Sequence, residues 1–474
     1  MKHLHIRFEA LVNRYPRHMW MPLLFCAILL FTCCAPKLDT VEAPINDPQE
    51  FSYTGTEVIP EKWWTVFNDD QLNTLIDSAL NRNLNLAATW EQVMEAHAIR
   101  RSEASFLWPQ LDANLQTGIS RPKPDFAGGE NTQLGLSASY ELDLWGRLRS
   151  SKQAANFRLE ASYFDYQTAA MTLSAEIATT WFQYLTAMQQ LQLAKKQIET
   201  NEDIMKLIRV RFSGGTIRGT DILRQQQLLE ATHNQRIVYE TNVELFKNQL
   251  AILLGKPPQN TLQLKSATLP ELPSIPETGL PLDLIRRRPD VQQAYNLVLA
   301  ADRDMASAIA SRYPRLTLTA ATQLRSNDFN NLFQEWAYTL GANIIAPLIY
   351  GGRLNAEVDR TEAIKNQTLY QYGQTVLTAF REVEDALIRE QKQKEQIAVL
   401  EKRLDLAQKT NRQLRIEFVN GLSEYLDVLL ALDQEQQLRR DMLSAKQELL
   451  SIRISLYRAL AGAFETSRES ELEQ

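Results

Sequence analysis

The stretch ELDLWGRLRSSKQ, residues 141–153, marks a change in the periodicity of the chain. Before Trp145 and Gly146, apolar and polar residues alternate, which is typical of a β-strand with two different faces. After Gly146 neither glycine nor proline occurs until Gly214, and such an uninterrupted stretch predicts a helix. The same change recurs in LIYGGRLNAEVDR, residues 348–360. The chain therefore contains two strand-to-helix switches.

The two switches belong to a duplicated unit. Gly146 and Gly352 are 206 residues apart, and other similar segments recur at nearly the same interval. The matched pairs are Pro109 with Pro314, Leu111 with Leu316, Phe212 with Phe418, Gly215 with Gly421, Asp221 with Asp427, and Gly255 with Gly462. Several anchors at one interval indicate an internal repeat. Between the halves, residues 256–281 are rich in proline and predict an irregular connector.

Each half predicts the same order of elements. A helix is followed by two short strands, a very long helix, a glycine-containing turn and a second long helix. The first half places them at about 70–106, 111–120, 134–142, 147–213 and 220–254, and the second at about 282–311, 316–325, 336–346, 353–420 and 424–461. At 1.5 Å per residue, each very long helix extends roughly 100 Å.

Composition argues against several classes of protein. The net charge of −6 disfavours a nucleic-acid-binding protein, which should carry a basic excess. All three cysteines lie within residues 26–34, and beyond residue 18 the only histidines are His97 and His233. A disulfide scaffold, a Cys/His metal site and a histidine-assisted nucleophile therefore lack the residues they need. We expect no enzymatic activity and no cofactor.

The N-terminus predicts an export signal with a lipid attachment site. Arg14 and Arg17 precede the apolar run MWMPLLFCAILLFT and a stretch of small or polar residues. The segment LLFTCCAPK resembles a bacterial lipobox, although Thr32 or Cys33 stands where glycine, alanine or serine is usual. We expect residues 1–33 to form the signal peptide and Cys34, or secondarily Cys33, to be lipidated. Ordinary cleavage and an uncleaved anchor are the alternatives.

The alternating strands have two interpretations. They form either a small soluble sheet with one face on a core or membrane strands with one face toward lipid. Export favours the membrane, as do the aromatic residues at the strand ends, which are Trp108, Trp145, Tyr313, Trp336 and Tyr350. Four strands cannot close into a barrel, and an open edge in lipid leaves backbone groups unpaired. A membrane sheet must therefore be shared between chains.

The residues resemble the TolC-like outer-membrane efflux proteins, of the NodT-like lipoprotein branch. The resemblance covers essentially the whole mature chain, and its most specific segments are YELDLWGRLRS (140–150), GLPLDLIRRRPDV (279–291), YP (313–314) and EFVNGLSEYLDVL (417–429). It implies a mixed α+β membrane protein that is a homotrimer. Each protomer is expected to give four strands to a shared 12-stranded transmembrane β-barrel, which continues into a long periplasmic α-helical barrel.

The resemblance also implies a division of the chain. Residues 70–255 and 282–462 are the two structural repeats. The N-terminal segment 34–69, the connector 256–281 and the C-terminal tail 463–474 form a mixed equatorial region.

The implied function is the outer-membrane channel of a tripartite efflux pump for drugs or other small toxic compounds. The implied partners are a periplasmic membrane-fusion adaptor protein, an inner-membrane RND-type pump and outer-membrane lipid, with no nucleic acid. The alternative is the outer-membrane exit duct of a type I protein secretion system. The sequence does not indicate the substrate.

Trp145, Gly146, Tyr350 and Gly352 are expected to mark the transitions from barrel strand to tunnel helix. Glycine allows the chain to bend there without a Cβ clash. Trp and Tyr side chains suit the boundary between water and lipid.

The helix–turn–helix tips are expected to form an iris-like periplasmic gate. Many relatives carry a Leu ring and, one turn later, an Asp ring at the tip of the second repeat. By position Leu426 matches the leucine, and Leu430 stands where the aspartate is expected. This departure predicts an apolar seal.

Asp427 and Asp221 occupy equivalent places in the two tips. They are expected either to pair with Arg211, Arg218 or Arg415 across subunits, or to remain as solvated charges.

Overall fold

The computed structural model describes residues 43–45, 50–119, 130–259, 262–264, 268–279, 281–326, 332–333 and 336–469. The first helix within the described residues is a short 3-10 helix, Trp63–Phe67. In chain order there follow α1 (Asp70–Arg82), α2 (Leu84–Ser105), β1 (Gln110–Ile119), β2 (Glu130–Leu142), α3 (Arg147–Ser213), α4 (Gly219–Leu253), α5 (Pro281–Arg287), α6 (Pro289–Ala310), β3 (Arg315–Ser326), β4 (Trp336–Ile345), α7 (Arg353–Val419) and α8 (Tyr425–Leu460).

The two very long helices are confirmed. Helices α3 and α7 contain 67 residues each, far more than the dozen typical of a globular helix. The return helices α4 and α8 contain 35 and 36 residues. Among the described residues, no helix combines the length and the apolarity needed to span a bilayer.

The shorter helices differ from the prediction, because each of them is interrupted once. The expected helix 70–106 breaks at Asn83, whose Nδ2 donates to the Leu253 carbonyl at 2.9 Å while its Oδ1 accepts the Leu86 N–H. The expected helix 282–311 breaks before Pro289, because proline disfavours helical geometry at the residue that precedes it.

The four strands form one antiparallel sheet in the order β1-β2-β3-β4. Its register joins the apolar positions of neighbouring strands, as in the pairs Leu115–Leu134, Leu142–Leu316 and Leu316–Ile344. One face is therefore apolar and the other polar. Within one chain the apolar face is largely uncovered, and its exposed members are Leu111, Leu115, Leu136, Leu318, Trp336, Tyr338, Leu340 and Ile344.

The described chain forms two compact units, each built from both halves of the sequence. One contains the sheet and consists of residues 94–162 and 294–372. The other contains residues 50–93, 163–293 and 373–469. The division of the sequence into repeats stays a prediction.

The second unit has an aromatic core around the segment WWTVF. Trp63 stacks on Tyr457 with the ring centroids 5.9 Å apart, and Phe67 meets Phe182 edge-on at 5.1 Å. Trp181 donates its indole N–H to Asp69 at 2.7 Å, and the same carboxylate caps the start of α1. These contacts hold the N-terminal segment against α3 and α8.

The RRRPDV motif has a structural role in the same unit. Arg288 is buried, and its Nη2 lies 2.7 Å from the Asp290 carboxylate and 2.8 Å from that of Glu382. Its Nη1 donates to the Ala459 carbonyl at 3.3 Å. The motif thus connects the start of α6 with α7 and α8.

Candidate functional site

Both helical hairpins end in the same type of turn. Gly215 and Gly421 have φ values of +73° and +78°, a left-handed conformation that glycine adopts without a Cβ penalty. Thr216 N–H donates to the Arg211 carbonyl at 3.1 Å, and Leu422 N–H donates to that of Glu417 at 2.8 Å. These bonds satisfy the last carbonyls of α3 and α7, as in a Schellman motif.

The two tips share one apolar core, to which α3, α4, α7 and α8 all contribute. Its buried members are Ile204, Met205, Ile208, Phe418, Tyr425, Val428, Leu429 and Leu432. Leu426 is partly buried against this cluster. We call the cluster the tip core. It packs the two hairpins of one chain against each other.

A buried chain of polar side chains extends along the helices from the tip core. Tyr425 Oη donates to Gln225 Oε1 at 2.5 Å, and Gln225 Nε2 donates to the Asn201 carbonyl at 2.9 Å. Gln436 Nε2 donates to Asn201 Oδ1 at 3.1 Å, and the Asn201 amide donates to Thr232 Oγ1 at 2.9 Å. All five side chains are at most 4% exposed. Neutral hydrogen bonds therefore join α3, α4 and α8.

Electrostatics keep Tyr425 in its neutral form. Burial, followed by the nearby Asp221 carboxylate, raises the pKa of Tyr425 well above its ordinary value. A tyrosine hydroxyl is already neutral at physiological pH, and the raised pKa keeps that of Tyr425 a hydrogen-bond donor to Gln225 in more alkaline solution as well.

The predicted gate residues of the second tip fall into different environments. Leu430 has 59% of its surface exposed, whereas Leu426 packs partly against the tip core. Asp427 lies in the first turn of α8 and is exposed, with no ion-pair partner in the described part of the chain. Leu430 and Asp427 therefore offer free side chains at the surface of the described chain.

Asp221, in contrast, is only 9% exposed and contacts its own helix end. Its carboxylate accepts the Arg218 backbone N–H at 3.2 Å and lies 3.5 Å from Arg224 Nη1. Arg211 reaches the other tip within the same chain, where it donates to the Phe418 and Val419 carbonyls at 3.2 and 2.9 Å. Pairing of these groups across subunits stays a prediction.

The first strand-to-helix transition contacts the two residues that precede β3. Trp145 stacks on Tyr313 with the ring centroids 4.8 Å apart, and its Nε1 donates to the Pro314 carbonyl at 2.8 Å. Gly146 follows with a φ of +77°. The Asp143 carboxylate then accepts the N–H groups of Leu148 and Arg149 and caps α3.

The second transition has fewer contacts within the chain. Tyr350 is 46% exposed and lies under the Arg353 guanidinium, 5.2 Å from it, and Gly352 has a φ of +83°. Leu348 and Ile349, just before it, are 88% and 93% exposed. A glycine with positive φ therefore occurs at both transitions, and among the described residues the side chains before the second one are far more exposed.

Cys33 and Cys34 lie outside the described residues. In the described ranges no cluster of three or more His, Cys, Asp or Glu side chains could hold a metal ion.

Sequence reasoning did not identify Tyr425, Gln225, Asn201 and Gln436 as parts of the tip. The sequence pattern that could have indicated these buried polar residues is the seven-residue spacing of Gln225 and Thr232. Residues at that spacing lie on one face of a helix, and a polar pair there marks a polar seam.

Comparison with known proteins gives a consistent result. The model of the family described as outer membrane efflux protein matches residues 75–256 and 280–462. The pyoverdine export outer membrane protein OpmQ of Pseudomonas aeruginosa is 29% identical over 472 residues, covering 94% of this chain and 97% of OpmQ. The cation efflux system protein CusC of Escherichia coli is 28% identical and covers 93% and 98%. The solved structure of the outer-membrane channel OprN, 25% identical, superposes with a TM-score of 0.83 over 90% of this chain and 99% of OprN.

Proposed function

Because the chain belongs to the outer membrane efflux protein family, we propose that it is the outer-membrane channel of a tripartite efflux pump. It receives small toxic compounds from an inner-membrane RND-type pump through a periplasmic membrane-fusion adaptor and releases them outside the cell. The names of the relatives refer to cargoes as different as pyoverdine and cations. Selectivity therefore belongs to the pump, and the channel supplies a common exit.

The observation that carries the proposal is the uncovered apolar face of the sheet. Leu340 and Ile344 of β4 are 76% and 68% exposed, and Leu111 of β1 is 69% exposed. A soluble sheet would bury such a face, whereas lipid covers it without any further protein layer. The polar face then lines the lumen.

Closing the sheet requires more than one copy. In the described chain β1 and β4 are the outer strands, each paired along one edge only. Unpaired backbone groups in lipid cost several kcal/mol each. Three copies that each contribute four strands form a closed 12-stranded barrel.

The helices support the same assembly. Val238, Leu245 and Ile252 follow one another at intervals of seven residues on α4, and each is at least 47% exposed. Apolar residues at this spacing form helix–helix seams. A neighbouring copy covers this face when the helices form the periplasmic barrel.

The tips form the gate at the periplasmic end. Around a threefold axis Leu430 and Leu426 become rings one helical turn apart. A narrow apolar ring excludes ions because it resists wetting. Opening moves the tips apart in the manner of an iris.

Deletion of the gene in its host tests the function. The deleted strain should accumulate small toxic compounds such as dyes and become more sensitive to them, and the intact gene should restore resistance. Protein secretion should be unchanged. Unchanged sensitivity together with loss of one exported protein would instead indicate the exit duct of a type I secretion system.

A further inference from the structure

The two long helical hairpins of the chain can be compared residue by residue. Helices α3 and α7 contain 67 residues each and begin 206 residues apart, at Arg147 and Arg353. Their return helices α4 and α8 begin at Gly219 and Tyr425, which are also 206 residues apart. A residue near the tip of the first hairpin, α3 and α4, therefore has one equivalent near the tip of the second hairpin, α7 and α8.

A closed ring of three copies contains two kinds of seam between neighbouring hairpins. One seam lies within each chain, between its first and second hairpins. The other lies between copies, where the second hairpin of one chain meets the first hairpin of the next. Because the hairpins are repeats, a contact across the seam within the chain indicates which residues face each other across the seam between copies.

Arg211 holds the seam within the chain. It lies in the last turn of α3 and donates to the carbonyls of Phe418 and Val419 at the end of α7, at 3.2 and 2.9 Å. Its guanidinium also lies 4.8 Å from the centre of the Phe418 ring. Cations are favourable at the end of a helix, where the carbonyls carry partial negative charge, and against the face of an aromatic ring.

The equivalent position between copies has a different chemistry. Glu417 is the equivalent of Arg211. The repeat places it against the end of α3 in the next copy, at Phe212 and Ser213 of the partner subunit. A carboxylate has no proton to donate to the carbonyls there, and its charge opposes the partial negative charge of a helix end. The contact that Arg211 makes within the chain therefore has no counterpart between copies.

The buried polar hydrogen bonds are likewise confined to the seam within the chain. Tyr425 of the second hairpin bonds to Gln225 of the first, and Gln436 bonds to Asn201. Between copies the residues in the equivalent positions are Gly219 with Ala431 and Glu230 with Ala407. Glycine and alanine side chains have no hydrogen-bonding group, so neither bond can form.

The remaining charges near the seam between copies do not replace these bonds. Arg415 and Asp427 are both exposed in the described chain. A pair of such exposed charges contributes little, because solvent and salt screen it. The seam between copies is therefore the weaker of the two at the tip.

We propose that the gate opens along the seams between copies, while the two hairpins of each chain move together as one body. Arg211 and the buried polar bonds hold this body together. The inference rests on the proposed trimeric channel. It adds the place at which the closed tip separates.

Cross-linking of matched cysteine pairs in the full-length trimeric channel tests the inference. Arg211→Cys with Val419→Cys joins the two hairpins of one chain. The repeat supplies the matched pair between copies, Glu417→Cys with Ser213→Cys. A flexible bis-maleimide reagent suits both pairs, because a whole arginine side chain separates the two backbones in the first. The parent chain treated with the reagent corrects for the native cysteines.

The pair within the chain should migrate as a monomer on a denaturing gel after reaction and should still open in planar bilayers. The pair between copies should form dimers and trimers, and its opening should be lost. The matched positions make the comparison direct, since the two cross-links differ only in the seam that they join.

A variant without cysteines provides a second measurement. Glu417→Arg gives the seam between copies the guanidinium that the other seam already has. The opening frequency under applied voltage should fall about tenfold, as expected for hydrogen bonds from a charged donor that must break on opening. The control Glu417→Ala removes the carboxylate without adding a donor and should not reduce opening.

Several results would overturn the inference while the proposed channel stands. They are loss of opening when the hairpins of one chain are linked, continued opening when the copies are linked, failure of the second pair to link the copies of a conducting trimer, and an unchanged opening frequency in Glu417→Arg. A parent protein that is a folded monomer without channel activity would instead refute the proposed function.

Discussion

Arg453 and Glu390 form an ion pair from which solvent is excluded, with 0% and 2% of their side chains exposed. The Nε and Nη2 atoms of Arg453 each donate to one carboxylate oxygen, at 2.8 and 2.6 Å. Its Nη1 donates to the carbonyls of Pro273 and Ser274 at 2.6 and 2.7 Å. The pair therefore ties the connector to both α7 and α8. Burial acts to raise the pKa of Glu390, but Arg453 and then Lys394 outweigh it, so this pKa lies below its ordinary value.

Glu390→Gln should lower stability by about 3–5 kcal/mol, because it leaves a buried guanidinium without a counter-charge. The control is Glu395→Gln, whose ion pair with Lys392 is more than half exposed and contributes at most about 1 kcal/mol. Thermal melting of the solubilised protein and protease sensitivity of the connector measure the stability of both variants.

The Glu390→Gln variant also tests how stability depends on pH. Since the pKa of Glu390 is lowered on folding, its stabilisation is complete above the unfolded value of about 4.3 and is lost as the pH falls through the folded value. The stability difference between the parent and Glu390→Gln should therefore shrink in acid. A difference that stays constant down to about pH 2 would contradict the role of this carboxylate.

Leu430→Ser should raise single-channel conductance with little change in melting temperature, because Leu430 is exposed in the protomer. Leu426→Ser should also raise conductance but lower stability, because Leu426 packs against the tip core. Asp427→Asn should have a smaller effect. Planar-bilayer recordings and entry of a large antibiotic into cells provide the measurements. Opening by Asp427→Asn alone would show that charge, and not an apolar ring, keeps the tip closed.

Tyr425→Phe should loosen the tip, because Gln225 Oε1 is then left buried without its donor, at a cost of about 1–3 kcal/mol. Amide hydrogen exchange should accelerate near the tip and remain unchanged in the sheet. Tyr370→Phe on exposed α7 surface is the matched control. The addition of Gln225→Leu should recover part of the loss. Equal exchange rates in Tyr425→Phe and the parent would show that this hydrogen bond does not stabilise the tip.

Trp145→Ala should lower stability by about 2–3 kcal/mol. This loss is smaller than that expected for a fully buried tryptophan, because the Trp145 ring is half-buried against Tyr313. Trp145→Phe retains a ring but loses the bond to the Pro314 carbonyl, so it should lose only about 1 kcal/mol. Thermal melting of the solubilised protein ranks the two variants. The reverse order would show that the hydrogen bond dominates the transition.

The mature N-terminus should begin at Cys34, or secondarily at Cys33, and carry acyl chains, because these two cysteines come directly after the apolar run of residues 19–32. Mass spectrometry of the purified protein tests this expectation. Cys34→Ser should abolish the modification, whereas Cys33→Ser should leave it intact. An unmodified N-terminus beyond Ala35 would rule out lipidation at either cysteine.

The sequence alone determined the long helices and the turns that end them. The boundaries Arg147 and Ser213 agree with those of α3, because glycine is a strong local signal at both ends. Alternation likewise predicted the two faces of each strand, since side-chain direction follows directly from backbone geometry. These properties depend on neighbours in sequence.

The break before Pro289 follows from the sequence itself, whereas the tertiary structure decided the break at Asn83 and which polar groups are buried. The break at Asn83 depends on a carbonyl 170 residues away, and the Tyr425–Gln225 bond joins residues 200 apart. Periodicity in the sequence shows that a residue lies on a particular face, but it does not show what packs against that face.

The candidate gate illustrates the same division. The sequence repeat predicted that one end of the helical hairpins carries Leu426, Leu430, Asp427 and Asp221. The sequence also predicted the glycine turns at that end. Only packing separated them, because Leu426 is partly buried against the tip core while Leu430 is exposed, and Asp221 is buried while Asp427 is exposed. Positions that the predicted repeat makes equivalent become different once the two helical hairpins of one chain pack against each other, since each position then has different neighbours.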